Sequence, residues 1–204
     1  MYKHSVSRFE QELITLHPGE YFATKGDTII STVLGSCVAV GIFDEEAGAG
    51  GLNHFMLPGD AAKLDLAMSH NARYGMYAME LLINDLMKLG ARRAALKAKV
   101  FGGGSVLRLS GGGSDIPGGN VAFAFEYLRK EGIPVLASDV GGREPRKIFF
   151  FARTGKVLLK RIAGNLVELT KKEEERYLKE LAEGRKEGPS TLFDLNSKGR
   201  LPGP

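Results

Sequence analysis

The chain has 204 residues, 43% of them apolar and 25% charged, with a formal net charge of +4; these proportions suit a globular domain with one well-buried core. Its basic residues are dispersed among acids, as in the segment LTKKEEERYLKELAEG from Leu169 to Gly184, so no Lys/Arg stripe marks a nucleic-acid surface. Cys37 is the single cysteine, which excludes an intrachain disulfide and a cysteine-rich zinc centre, and the absence of an apolar leader or membrane-length run makes a reducing, cytoplasmic location the expectation.

Residues 1–18 are polar and weakly patterned and read as a loosely ordered lead-in. β-type segments then follow: EYFATKG from Glu20 and TIISTVLG from Thr28, separated by a Gly-Asp turn signal. In CVAVGIFD, alternation puts Cys37, Ala39, Gly41 and Phe43 on one side and Val38, Val40 and Ile42 on the other. Both sides are apolar, which predicts a central strand covered on both faces. EEAGAG is a turn, and GLNHFML, from Gly51, is the returning strand. Residues 60–75 read as a loop of weak helical character, and MYAMELLINDLMKLG, from Met76, repeats apolar residues at helical spacing and closes on Gly90.

A strand over ALKAKVFGG leads into a glycine-rich loop from Gly102, after which Asn120 is the expected cap of the helix VAFAFEYLRKEG. IPVLASD, RKIFFFA and KVLLKRI are three further strands, the last two joined as a hairpin across Arg-Thr-Gly. Beyond Thr170 the charged helix reads as a solvated face, followed by a flexible end to Pro204. The division is thus 1–18 lead-in, 19–163 folded domain, and 164–204 charged helix and tail. A run of strands followed by strands interspersed with two main helices predicts a mixed-sheet α/β sandwich with helices on the outer faces.

Two residues are the candidates for chemistry, although a lone cysteine in an apolar strand and a histidine between Asn53 and Phe55 also suit plain burial. Leu34-Gly35-Ser36-Cys37 puts the thiol at a strand entry where small neighbours admit a substrate and where backbone N–H groups around Gly35 and Ser36 can hold an oxyanion. A thiolate needs a base, and His54, on the returning strand of the same hairpin, is better placed than His4, His17 or His70. A third group should orient the imidazole. Ser31 and Thr32 point to opposite faces of their strand, so only one of them can serve; Asp44 lies at the far end of the Cys37 strand. The loop from Gly102 lacks the Gly-Lys-Ser/Thr ending of a phosphate-binding loop, and no His/Cys/Asp cluster has metal-ligand spacing, so neither cofactor nor metal is expected.

LGSCVAVGIFD followed by GGLNHFMLPG, then NARYGMYAMELLINDLMKLGARRAALKAKVFGG, IPGGN, YLRKEGIPVLASDVGG, RKIFF and TGKVLLKRI, resembles the CheD family of chemoreceptor glutamine deamidases from about Gly19 to Ile162. The resemblance implies a sandwich similar to bacterial deamidating toxins, with Cys37 as nucleophile and His54 as base. It also implies an orienting hydroxyl six residues before the cysteine, at Ser31, where the family usually has threonine. Gly102, Gly103 and Gly104 are expected to give a substrate helix room. The implied partners are the cytoplasmic domain of a methyl-accepting chemoreceptor and a CheC-type phosphatase, and the alternative to catalysis is a weakly active regulatory module for that phosphatase.

Overall fold

The structure, a computed structural model, describes residues 2–4, 11–57, 70–106, 115–163 and 165–183. Part of the glycine-rich loop (107–114), most of the segment read as a weakly helical loop (60–69 of 60–75) and the tail from 184 lie outside the described residues.

Ten strands form two five-stranded sheets. The first has the order β1 (Tyr2–His4), β2 (Glu12–Thr15), β4 (Thr28–Leu34), β9 (Arg146–Phe151) and β10 (Lys156–Arg161). The second has the order β3 (Tyr21–Lys25), β6 (Ala49–Phe55), β5 (Val38–Asp44), β7 (Lys97–Gly102) and β8 (Val135–Val140). Both are mixed: β2 runs parallel to β4 and β7 parallel to β8, while the other neighbours are antiparallel. The fold is therefore the expected mixed α/β sandwich.

The alternation of β5 decides how its layers pack. Val38, Val40 and Ile42 face helices α1 (His70–Lys88) and α2 (Ile116–Lys130), joining Met79, Leu82 and Phe123 in one core. Cys37, Ala39 and Phe43 face the other sheet and share a second core with Ile30, Leu34 and Phe150. A strand buried on both faces has no polar side to show, which is why its sequence is a continuous apolar run.

Four elements depart from the sequence reading. β1 and β2 both lie in the segment read as a loose lead-in; β1 pairs with β2, and β2 pairs with β4 and buries Leu13 and Ile14, because four residues with two apolar side chains suffice for a strand once a neighbour supplies the ladder. Helix α1 begins at His70, ahead of the apolar repeat, and ends as expected, with Gly90 at positive φ and the Ala91 N–H returning to the Leu86 carbonyl. Helix α2 starts at Ile116 under an Asp115 cap that accepts from the Gly118 N–H, so Asn120 is not a cap but a fully buried residue inside the helix. Proline in the first turn favours this earlier start, since its missing N–H costs nothing there.

Candidate active site

The β5–β6 hairpin brings the two chemical residues onto one face. Ala39 pairs with His54, and Cys37 lies two residues before Ala39, so Cys37 and His54 are diagonal neighbours on adjacent strands, both turned toward the opposite sheet. The backbone of His54 is pinned on its other side: its N–H donates to Glu20 O at 2.9 Å and its carbonyl accepts from the Gly19 N–H at 2.7 Å. Both side chains are buried, the sulfur completely and the imidazole to 2% exposure.

The imidazole is oriented by Thr32, not by Ser31. Thr32 Oγ1 lies 2.8 Å from His54 Nδ1 and 2.9 Å from the Leu16 carbonyl oxygen. A hydroxyl has one proton, and the carbonyl can only accept, so Thr32 donates to Leu16 and accepts from Nδ1–H. That assignment leaves Nε2 as the basic nitrogen, and Nε2 is buried without a hydrogen-bond partner among the described residues. The expectation at Ser31 fails by strand parity. Thr32 shares its side of β4 with Ile30 and Leu34, which face the sheet carrying His54, whereas Ser31 turns away and its buried Oγ has no hydrogen-bond partner among the described residues.

Beside Cys37 the chain forms an anion nest. The N–H groups of Gly35, Ser36 and Cys37 and the Ser36 hydroxyl all donate to one carboxylate, that of Glu174, at 3.0, 2.9, 3.0 and 2.6 Å. The three carbonyls of the same residues are held elsewhere, Gly35 O by the Gly104 N–H (2.6 Å), Cys37 O by the Gly103 N–H (2.7 Å) and Ser36 O by Asn120 Nδ2 (3.3 Å). With its carbonyls tied back, the turn has no choice but to present its amides. Asn120 completes the tie by accepting from the Leu57 N–H at 2.7 Å.

Gly35 and Ser36, expected to hold an oxyanion, donate here to the Glu174 carboxylate, and a Cβ on Gly35 would come within 2.8 Å of one of its oxygens. Gly102–Gly104 buttress the cysteine loop from behind, and Gly103 leaves space for α2, where an added Cβ would meet Val121 at 2.3 Å. Gly102 has φ +110, and a Cβ there would meet Cys37 O at 2.1 Å. Behind Gly104, the fully buried Arg146 ties the β8–β9 connection through the Asp139 carboxylate and carbonyl and the Gly141 carbonyl.

Glu174 belongs to helix α3 (Asn165–Ala182), so the charged helix is not simply a solvated face. Thr170, Glu174 and Tyr177 are buried, and Tyr177, Leu178 and Leu181 pack on the inter-sheet core. The stripe has ordinary helical spacing with a carboxylate in its middle, a signal that the sequence carries but that the surrounding Lys/Glu run conceals. Next to it, Glu173 Oε1 lies 2.5 Å from His17 Nδ1, and Tyr177 packs over Gly19, where an added Cβ would sit 2.5 Å from the phenol oxygen.

The electrostatics describe a resting site. Burial pushes the Cys37 thiol well above its ordinary pKa, and the charge and hydrogen bonding of Glu174 push the same way. Burial pushes His54 down to about 4, so the imidazole is neutral at pH 7. Asp44 plays no part here: it accepts from the Glu46, Ala47 and Arg92 N–H groups at the far end of β5. Among the described residues, no group of three or more His, Cys, Asp or Glu side chains is arranged to hold a metal ion, and no helix is long and apolar enough to cross a membrane.

The family model described as CheD chemotactic sensory transduction matches residues 56–161. A protein of Shewanella oneidensis named "probable chemoreceptor glutamine deamidase CheD 1" is 52% identical over 155 residues, covering 76% of this chain and 74% of its own. Its namesake in Methylobacillus flagellatus is 47% identical over 187 residues and 91% of each chain. The one in Cupriavidus metallidurans is 42% identical over 199 residues, covering 95% of this chain and 90% of its own. Alignments as long as the last two necessarily span both the Cys37–His54 segment and Glu174.

Proposed function

Because the chain belongs to the CheD family, we propose that it hydrolyses the side-chain amide of glutamines in a chemoreceptor's cytoplasmic helices, giving glutamate and ammonia by way of a thioester on Cys37. The observation that carries this reading is the nest: four donors beside the only cysteine already hold the head of a glutamyl side chain. A glutamine carboxamide has the same reach and can put its carbonyl oxygen where the Gly35 and Cys37 N–H groups meet one carboxylate oxygen, with its amide nitrogen toward the Ser36 hydroxyl at the other.

The steps follow from the residue types. A neutral carboxamide in place of the Glu174 carboxylate removes the charge that opposes ionisation of the thiol. Cys37 gives its proton to His54 Nε2 and its sulfur attacks the carboxamide carbon, forming the C–S bond while the electron pair moves to oxygen. The N–H groups of Gly35 and Cys37, which share one oxygen of the Glu174 carboxylate, stabilise that oxyanion, and the imidazolium protonates the departing nitrogen as the C–N bond breaks and ammonia leaves. His54 then takes a proton from water, which attacks the thioester and releases glutamate and the thiol. Thr32 acts as a positioning residue, holding Nδ1–H so that Nε2 remains the base.

The regulatory alternative is a weakly active module binding a CheC-type phosphatase, which a serine at the expected third position would favour; the Thr32 hydroxyl on the imidazole supports catalysis instead. Incubation of the full chain with a receptor cytoplasmic fragment tests the proposal, with ammonia measured in solution and glutamate located by peptide mass mapping. Equal amounts of ammonia and new glutamate are expected. A fragment bound by the protein but unchanged in mass would return the regulatory reading.

A further inference from the structure

We infer that α3 is an intramolecular product mimic: it occupies the groove in which the substrate helix docks, with Glu174 standing where the reactive glutamine stands. The inference rests on the deamidase reading and goes beyond it by naming what closes the site and what shape of substrate opens it.

The chemistry of the contact is the first argument. Of all side chains, the one held by the nest is glutamate, which is what a glutamine becomes in the reaction. All four donors converge on that single carboxylate, and without it three adjacent amides would face the Cys37 sulfur unpaired by protein. The second argument is presentation. Glu174 projects from the middle of an 18-residue helix whose buried stripe, Thr170, Glu174 and Tyr177, lies across the mouth of the site. The third is closure: Cys37 has no exposed surface and the Glu174 carboxylate fills the donors beside it, so a substrate amide reaches those donors only if α3 moves. A receptor helix and α3 therefore compete for one groove.

That groove defines the substrate. Relative to the reactive position, the residue before it meets His17 and the residue three places on lies over Gly19, as Glu173 and Tyr177 do. The favoured substrate is a helical glutamine preceded by an acidic residue and followed three residues later by a bulky apolar or aromatic one.

The decisive variant is Glu174→Gln in the full chain, which is isosteric with the native residue and turns the mimic into a substrate. Its intact mass should rise with time by about one mass unit as the amide hydrolyses through Cys37, regenerating the native sequence at position 174. The double variant Glu174→Gln/Cys37→Ala should keep its mass. Glu174→Ala, which empties the nest, should convert the glutamines of a receptor fragment faster than the native chain, by about fivefold or more at sub-saturating fragment.

If Glu174→Gln keeps its mass while the native chain converts receptor glutamines, the mimic is overturned and the deamidase reading stands. A mass gain that persists without Cys37 is spontaneous and also overturns it, as does a Glu174→Ala rate no higher than native. If the native chain and Glu174→Ala both leave receptor glutamines intact, the deamidase reading fails and this inference falls with it.

Discussion

Thr32 Oγ1 sits between the Leu16 carbonyl, at 2.9 Å, and His54 Nδ1, at 2.8 Å, so one hydroxyl links the residue just after β2 to the imidazole and sets its tautomer. Without Leu16 to take the hydroxyl proton, Thr32 would be free to donate to Nδ1 and the basic nitrogen would be Nδ1 instead of Nε2.

Thr32→Val keeps the shape of the side chain and removes the hydroxyl. Deamidation should fall by up to about a hundredfold in kcat as the imidazole loses its fixed orientation. Ser31→Ala, which deletes a buried hydroxyl with no hydrogen-bond partner among the described residues, should leave the rate near native and cost little stability. Steady-state kinetics on a receptor fragment separates the two; the reverse order would return the orienting role to Ser31.

Asn120 holds the Ser36 carbonyl and the Leu57 N–H from inside α2. Asn120→Ala leaves both groups unpaired in a buried setting, a loss on the order of 2–4 kcal/mol by the cost of an unsatisfied group. The nest also loses one of its three ties. Thermal unfolding should show the destabilisation, and kcat should fall in the fraction that remains folded.

Gly102→Ala places a methyl 2.1 Å from Cys37 O at φ +110. The backbone strain alone costs about 1–3 kcal/mol, and the clash falls on the cysteine loop itself. Both the melting temperature and kcat should drop. A variant with native stability and activity would show that the loop behind Cys37 is not held as described.

The buried imidazole makes stability depend on acid. His54 is pushed down to about 4 by burial, whereas an unfolded histidine titrates near 6.5, so below that value the unfolded chain binds a proton that the native chain resists. This contribution is fully present above pH 6.5, is lost as pH falls, and levels off below about 4, with a total of about 3 kcal/mol. Denaturant unfolding from pH 7 to 4 on the native chain and His54→Gln measures it by difference. The variant should show a shallower loss, and parallel curves would refute the burial account.

Much of this could be read from the chain itself. β5 shows its two buried faces in plain alternation, and the short glycine turn after Asp44 all but requires a hairpin, which puts Cys37 and His54 on adjacent strands. The same alternation could not choose between Ser31 and Thr32, because β4 has Ile29 beside Ile30 and Val33 beside Leu34: a strand apolar on both sides carries no mark of which side faces the site. Glu174 was hidden for the opposite reason. In a run of lysines and glutamates one more carboxylate looks solvated, and only the spacing to Tyr177 and Leu181 marks its face as buried. Strand β2 is too short to announce itself without the β4 ladder beside it.

The central claim is that Cys37 forms a thioester with a receptor glutamine. Rapid acid quenching of the full chain with a receptor cytoplasmic fragment, followed by peptide mapping, tests it most directly. The account predicts a hydroxylamine-sensitive adduct joining the Cys37 peptide to the glutamyl side chain, absent in Cys37→Ala, which should also leave every receptor glutamine intact. Conversion of those glutamines by Cys37→Ala at the native rate would contradict it.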